Sequence, residues 1–309
     1  MAVTTDPFTN ADEIALISET WTTIVNEKLF DKTVFANFCQ NLSSFATEGS
    51  DIFHVPDIFT NALTVSTQST QGAEITTASP LSVDTTLTID THKYVAYLMG
   101  DLTLQQVAKK YDVLSLYADE AASLLAEALE ASIAGLWSSI TTNTIGDTAT
   151  VLSDAEVRRS IEKLASAKFN LDECAFFVHP YVFWIQLHAV AKYYTASIAG
   201  PMNEVGAVRT GNFGSATASR NLRGHLYGIP LYTSTNVVSG LQTYRNLLLH
   251  KSAFGFAVQT RGGNKVRVQM DNLIQNLGTL TVADIIYGVK ILREPGSVLV
   301  NASSTFIGS

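Results

Sequence analysis

Apolar side chains recur at three- and four-residue steps through residues 113–140. Leu114, Tyr117, Ala121, Leu124, Leu125, Ala128, Ile133, Leu136, Trp137 and Ile140 trace one face, and Asp119, Glu120, Glu127 and Glu130 line the other. This pattern predicts the strongest helix of the chain within 102–143, about 28 residues and ~42 Å long from 113 to 140. Such a length suits a strut across a flat domain. A weaker amphipathic pattern covers 10–45, with Ile14, Ile17, Trp21, Ile24 and Val25 on one side and Asn10 or Asp12 placed to cap its start. A third helix is predicted over 153–169, where Ser153 and Glu156 have capping-box spacing, and an apolar helix over 181–198.

Elsewhere the period shortens to two. Leu87, Ile89 and the run Tyr94–Leu98 read as strand, flanking a Thr/Ser-rich stretch with few large apolar residues. That stretch, roughly 66–82, cannot bury much on its own and reads as a long β-hairpin or extended loop. "CAFFVHP" (174–180) reads as a buried strand ending at Pro180. "AGPMNEVGAVRTGNFGSATASRNLRG" (199–224) is a long loop that feeds the strand "HLYGIPLYTST" (225–235). "NLLLHKSAFGFAVQT" (246–260) reads as strand with a turn led by Ser252. Thr279, Thr281, Ala283 and Ile285 alternate with Leu280, Val282, Asp284 and Ile286, and the strand pattern continues past Pro295.

Composition narrows the class. The chain has 309 residues, 46% of them hydrophobic, enough for a full core. No apolar run approaches the ~20 residues of a membrane helix, and "MAVTTDPFTNADE" lacks the basic start and apolar core of a signal peptide. Cys39 and Cys174 are the only cysteines, so a disulfide framework is excluded and synthesis in a reducing cytoplasm is expected. The net charge of −8 is unevenly spread: residues 1–150 carry 19 acidic and 5 basic side chains (−14), and residues 151–309 carry 9 and 15 (+6). Such a split suits an acidic half meeting a basic half, within one chain or between chains.

The usual signatures of catalysis and cofactor binding do not occur: there is no G-x-S-x-G, G-x-G-x-x-G, Walker loop, H-E-x-x-H or C-x-x-C. Histidines are scattered at 54, 92, 179, 188, 225 and 250, and structural roles are expected for His179 and His188. His250-Lys251-Ser252 and the "RGG" at 261–263 read as turns. Arg158, Arg159 and Lys163 form a basic helix face, expected to meet solvent or another subunit rather than DNA. Trp21, Trp137 and Trp184 read as packing aromatics.

The ordered set of a terminal arm, a long β-loop, a spine helix, "GHLYGIPLYTSTNV" (224–237), "LLLHKSAFGFAV" (247–258) and "GTLTVADIIYGVKILREPGSVLV" (278–300) resembles the major capsid proteins of tailed double-stranded DNA bacteriophages. The resemblance covers essentially the whole chain and rests on order rather than on one motif. It implies an α+β phage capsid fold, with a long β-hairpin extended loop, a peripheral domain with long helix and long strands, and an axial domain whose central β-sheet is flanked by helices. The implied division is an arm (1–46), an extended loop (47–98), a peripheral domain with the spine helix (99–150), an axial domain (151–262), and return strands (263–309) that complete the peripheral domain and end in a strand joining the axial domain.

The resemblance further implies self-assembly into hexamers and pentamers of an icosahedral shell around packaged double-stranded DNA. The partners implied are a separate scaffolding protein, a portal and decoration proteins, with no membrane, cofactor, metal or catalytic residue. The implied location is the virion, after synthesis in a bacterial cytoplasm. Contact residues between subunits are expected at Glu19, Trp21 and Glu27 in the arm, Glu74 and Asp84 in the extended loop, and Arg209, Asn212, Arg220 and Arg223 in the axial loop. The acidic face of the spine helix is expected to face the DNA and repel it. Some members of the family crosslink a loop lysine to a neighbouring asparagine. No lysine lies between Lys32 and Lys93 here, so no such crosslink is expected. Some members begin with a removable scaffolding segment, whereas this sequence starts almost at the arm, and Met1 points to a separate scaffold. The alternatives are an encapsulin-like cellular shell, an α+β enzyme with an unrecognised site, and another virion part.

Overall fold

The computed structural model describes residues 33–46, 52–57, 67, 71, 83–100, 113–148, 150–187, 190, 222–240, 243–261, 264–273, 275 and 278–304. Two β-sheets and two helices build its core. The helix expected from the 113–140 pattern is α1, Val113–Gly135, 23 residues and so ~35 Å long. It tightens into one 3-10 turn at Leu136–Ser139. The second helix, α2 (Asp154–Ser166), begins at the expected capping box: Ser153 accepts from the Glu156 N–H, and the Glu156 carboxylate accepts from the Ser153 N–H.

The first sheet is built on one very long strand. With β1 Gln40–Asn41, β4 Thr91–Gly100, β10 Phe254–Val258, β11 Val266–Leu273 and β12 Gly278–Ile291, β12 pairs antiparallel with β4 along one edge and with β11 and then β10 along the other. Strands β10 and β11 follow one another along the same edge of β12: the pairing breaks after Val258 opposite Tyr287 and resumes at Val266 opposite Ile285, with the Gln259 N–H bonded to the Ile286 carbonyl. The antiparallel pairing of Arg261 with Asn264 agrees with the hairpin turn expected at "RGG". Arg261 and Asn264 close this tight turn through mutual backbone bonds, and β10 and β11 on either side each pair with β12. A two-stranded ribbon, β2 Ile52–Asp57 with β3 Val83–Thr88, forms the described base of the expected β-hairpin. The end of β3 crosses β12 at Gly288, where a Cβ would lie 2.0 Å from the Thr88 carbonyl oxygen, so only glycine allows that approach.

The second sheet has six strands, in the order β5 (Thr144–Ile145), β13 (Ser297–Ser303), β9 (Thr243–His250), β6 (Cys174–Val178), β8 (Ile229–Thr233) and β7 (Leu222–Leu226). All five β6 residues are buried, as a central strand covered on both faces must be. On one face Ala175, Phe177, Leu247 and Leu249 join the core that also contains Phe35, Trp137 and the inner residues of the first sheet. On the other, Phe176, Val178, Leu248 and Val298 pack against Val157 and Leu164 of α2. The 246–260 stretch thus forms two strands, as expected, but they lie in different sheets and link them.

Four expectations are corrected. The helical reading of 10–45 fails in its described part: residues 33–46 form two 3-10 turns and the short β1. Tyr117 and Leu124 were placed on the buried face of α1, yet both are exposed. The face turned inward is Ala118, Ala121, Ala122, Leu125, Ala126, Leu129 and Ile133, one step round the helix, because small residues let α1 lie close to the sheet. Glu130, assigned to the acidic face, is buried at 2% exposure. Trp184, read as a packing aromatic, is 53% exposed on the single wide helical turn Val182–Leu187, whereas Trp137 is fully buried as expected.

Candidate functional site

Of the nine expected contact residues, two fall among the described residues. Glu19, Trp21, Glu27, Glu74, Arg209, Asn212 and Arg220 lie outside them. Asp84 sits on β3, paired with Pro56 of β2. Arg223 is on β7, where its Nε donates to Thr233 Oγ1 at 3.0 Å and its guanidinium carbon lies 6.0 Å from the centre of the Trp184 ring. Asp84 and Arg223 belong to different sheets and are not brought together.

Arg223 lines a polar cavity of about 380 Å³ together with Ser123, Glu127, Glu130, Ser234 and Asn236. Glu130 explains why an acid is tolerated at the inner end of this space. Its two carboxylate oxygens accept the backbone N–H groups of Phe35 and Ala36, each at 2.9 Å. One side chain on α1 thus holds the incoming chain at 34–36, where the short 3-10 turn leaves those donors without helical partners. Burial pushes the Glu130 carboxyl up from 4.5 to about 7, against the pull of the Phe35, Ala36 and Val34 amides.

The native state therefore keeps this proton up to about pH 7, while the unfolded chain releases it near 4.5. Between those values the folded form binds more protons, so stability from this group falls as pH rises through the window, by up to about 3 kcal/mol. Urea midpoints of wild type and Glu130→Gln across pH 5–8 check this. Wild type should lose that advantage relative to the variant, whereas a pH-independent difference contradicts the assignment.

A second charged centre lies on the first sheet. Asp284 of β12, with 3% of its side chain exposed, accepts from two guanidiniums and one imidazole. These are Arg261 Nη2 at 2.5 Å, Arg267 Nε at 3.0 Å and Nη2 at 3.3 Å, and His92 Nε2 at 2.7 Å. Burial raises the Asp284 carboxyl, but the hydrogen bonds from Arg267, Arg261 and His92 outweigh it and hold the group below the usual carboxylate range. The cluster joins β4, β12, β11 and Arg261 in the turn before β11. Sequence reading missed it. The available signal was an aspartate at one beat of an otherwise apolar alternation.

The remaining candidates read as structure. His250 accepts from the Ser252 N–H at Nδ1 and pairs at Nε2 with Glu173, which also holds Lys251 at 2.6 Å, so the triplet is a pinned turn as expected. His179 stacks on Tyr244 at 3.9 Å. In the basic face of α2, Arg158 pairs with Asp154 and Lys163 donates to the Thr144 carbonyl. Among the described residues, no group of three or more His, Cys, Asp or Glu side chains has the geometry to hold a metal ion. Large apolar side chains do stand in solvent at several separate places: Phe45, Ile52, Tyr94, Leu124, Trp184 and Ile185.

No family model matches the chain, and no curated protein matches it. Solved structures do. A structure from Mycobacterium phage Che8 matches with a TM-score of 0.66 at 19% identity, over 87% of this chain and 90% of that one. The capsid structure of Cyanophage P-SCSP1u matches with a TM-score of 0.63 at 12% identity, over 88% and 89%. A virus-like particle from Pyrococcus furiosus matches with a TM-score of 0.51 at 12% identity, over 91% and 98%. Both lengths agree nearly end to end, and the chain has the α+β fold of phage major capsid proteins.

Proposed function

We propose that this chain is a major capsid protein, a structural subunit that assembles with copies of itself into the hexamers and pentamers of an icosahedral head around double-stranded DNA. The observation that supports this most is the near end-to-end match to phage capsid structures. Separate exposed apolar side chains add to it, since a shell subunit meets several neighbours at once. In this reading residues 1–46 are an arm and 47–98 an extended loop. Residues 99–150 and 263–309 form the peripheral domain, the latter ending in a strand that joins the axial domain of 151–262. A separate scaffold, a portal and decoration proteins are the expected partners, and the virion is the location, after synthesis in a bacterial cytoplasm.

Function here is geometry plus charge. The acidic first half of one copy lies against the basic second half of another, which steers encounter and fixes register more than it adds affinity. Exposed charges are screened beyond about 8 Å at physiological ionic strength. The assembled fraction, measured by gradient sedimentation, should therefore fall as salt rises from low to high. Assembly unchanged or strengthened by salt would mean that apolar contacts dominate.

A second reading, an encapsulin-like cellular shell, shares the shell architecture, and the chain also matches a virus-like particle from Pyrococcus furiosus. It ranks lower because that match has a lower TM-score than the phage capsids.

A further inference from the structure

The Asp284 cluster holds more positive charge than its own acid neutralises. Two guanidiniums face one carboxylate. Arg261 Nε is buried and has no hydrogen-bond partner among the described residues, although Arg261 is already committed through Nη2. Arg267 directs two N–H groups at Asp284, and 42% of its side chain is exposed. A guanidinium carries five N–H donors, so both side chains keep donors to spare. Such donors seek a second acceptor, and an anionic one forms the strongest bonds.

The surroundings point the same way. Tyr94, Asp284 and Arg267 lie side by side across β4, β12 and β11, so their side chains share one face of the sheet. Ala283, Ile285 and Tyr287 turn to the other face and join the buried core, where the Tyr287 hydroxyl donates to the Ala128 carbonyl of α1. On the outer face Tyr94 is 68% exposed, and Leu98, Leu280 and Val282 are only half-buried. The other acid on this face, Asp271, is four residues along β11, roughly 13 Å away at strand spacing, too far to serve Arg267.

We infer that Arg261 and Arg267 form a receiving site for a carboxylate side chain of a second copy of this chain. The inference rests on the shell reading above and names its contact. Charge selects the occupant: residues 1–150 of the neighbour carry 19 acidic against 5 basic side chains, and residues 1–98 carry 12 against 3. The flanking Tyr94, Leu98, Leu280 and Val282 supply the apolar surface on which an acidic segment lies. The contact is charge-assisted and partly shielded from water, so it sets register between copies.

The test is assembly of the full chain carrying Arg267→Gln, which removes one cation but leaves Asp284 bound to Arg261 and His92. Circular dichroism and the urea midpoint of the subunit verify its fold. The site predicts a critical concentration raised about tenfold, with Arg267→Lys recovering part of the loss. If the variant folds and assembles as wild type does, the inference is overturned while the shell reading stands. If it assembles normally but its shells retain less nucleic acid, the occupant is a phosphate and the inference is likewise overturned. If wild type itself never assembles, the shell reading fails and takes this contact with it.

Discussion

Replacing Trp137 with alanine is expected to destabilise the subunit by about 4 kcal/mol, the range for emptying a fully buried aromatic site. Trp137 closes the 3-10 turn after α1 and is completely enclosed. Its ring meets Phe35 edge-on at 5.0 Å, and Phe35 in turn meets Phe177 of β6 edge-on at 5.1 Å. One side chain thus joins the spine helix, the incoming chain near residue 35 and the central sheet. The surrounding strands belong to two sheets and cannot all collapse into the space. Chemical denaturation of the subunit should show a lower midpoint at an unchanged slope, with Trp137→Phe recovering much of the loss. An Ala variant within 1 kcal/mol of wild type would mean that these elements do not depend on this contact.

Asp284→Ala is expected to cost about 3 kcal/mol. Stranding the partners of a buried acid costs about 3–5 kcal/mol, and the lower end applies because His92 and Arg267 reach solvent. The damage should be local. Hydrogen exchange should accelerate in β4 and β11 and at Arg261 and Asn264, while β6 and β9 of the other sheet keep their protection. Uniform acceleration over both sheets would show that the cluster supports the whole subunit and not its outer sheet alone.

The elements set by local pattern were legible in the sequence. The capping box at Ser153 and Glu156, the buried run of β6 and the alternation of β12 each depend on neighbours in the chain, and each forms as read. Features set by distant neighbours were not legible. Glu130 looks like one more acid of an acidic stripe. Yet it stands seven residues before Trp137, two helical turns away on the same side, and that spacing was the available signal. What makes burial tolerable is a pair of amides 94 and 95 residues away, which no local pattern shows. Asp284 is similar: Arg267 is 17 residues off and His92 192, and only the sheet register brings them together. Trp184 misled because an apolar run reads as buried whether its last neighbour is the same chain or another copy. Most expected contact residues lie outside the described residues. In the shell reading they act between chains, where sequence could supply charge and order but no geometry.

The central claim is that 33.4 kDa subunits of this chain close into a shell. Cryo-electron microscopy of the purified full-length chain, concentrated at low salt, tests it most directly. The account predicts closed particles or hexameric and pentameric rings, with α1 and the long β12 resolved in every subunit. A monodisperse monomer in every salt condition, with no ring or shell on the grid, would contradict it.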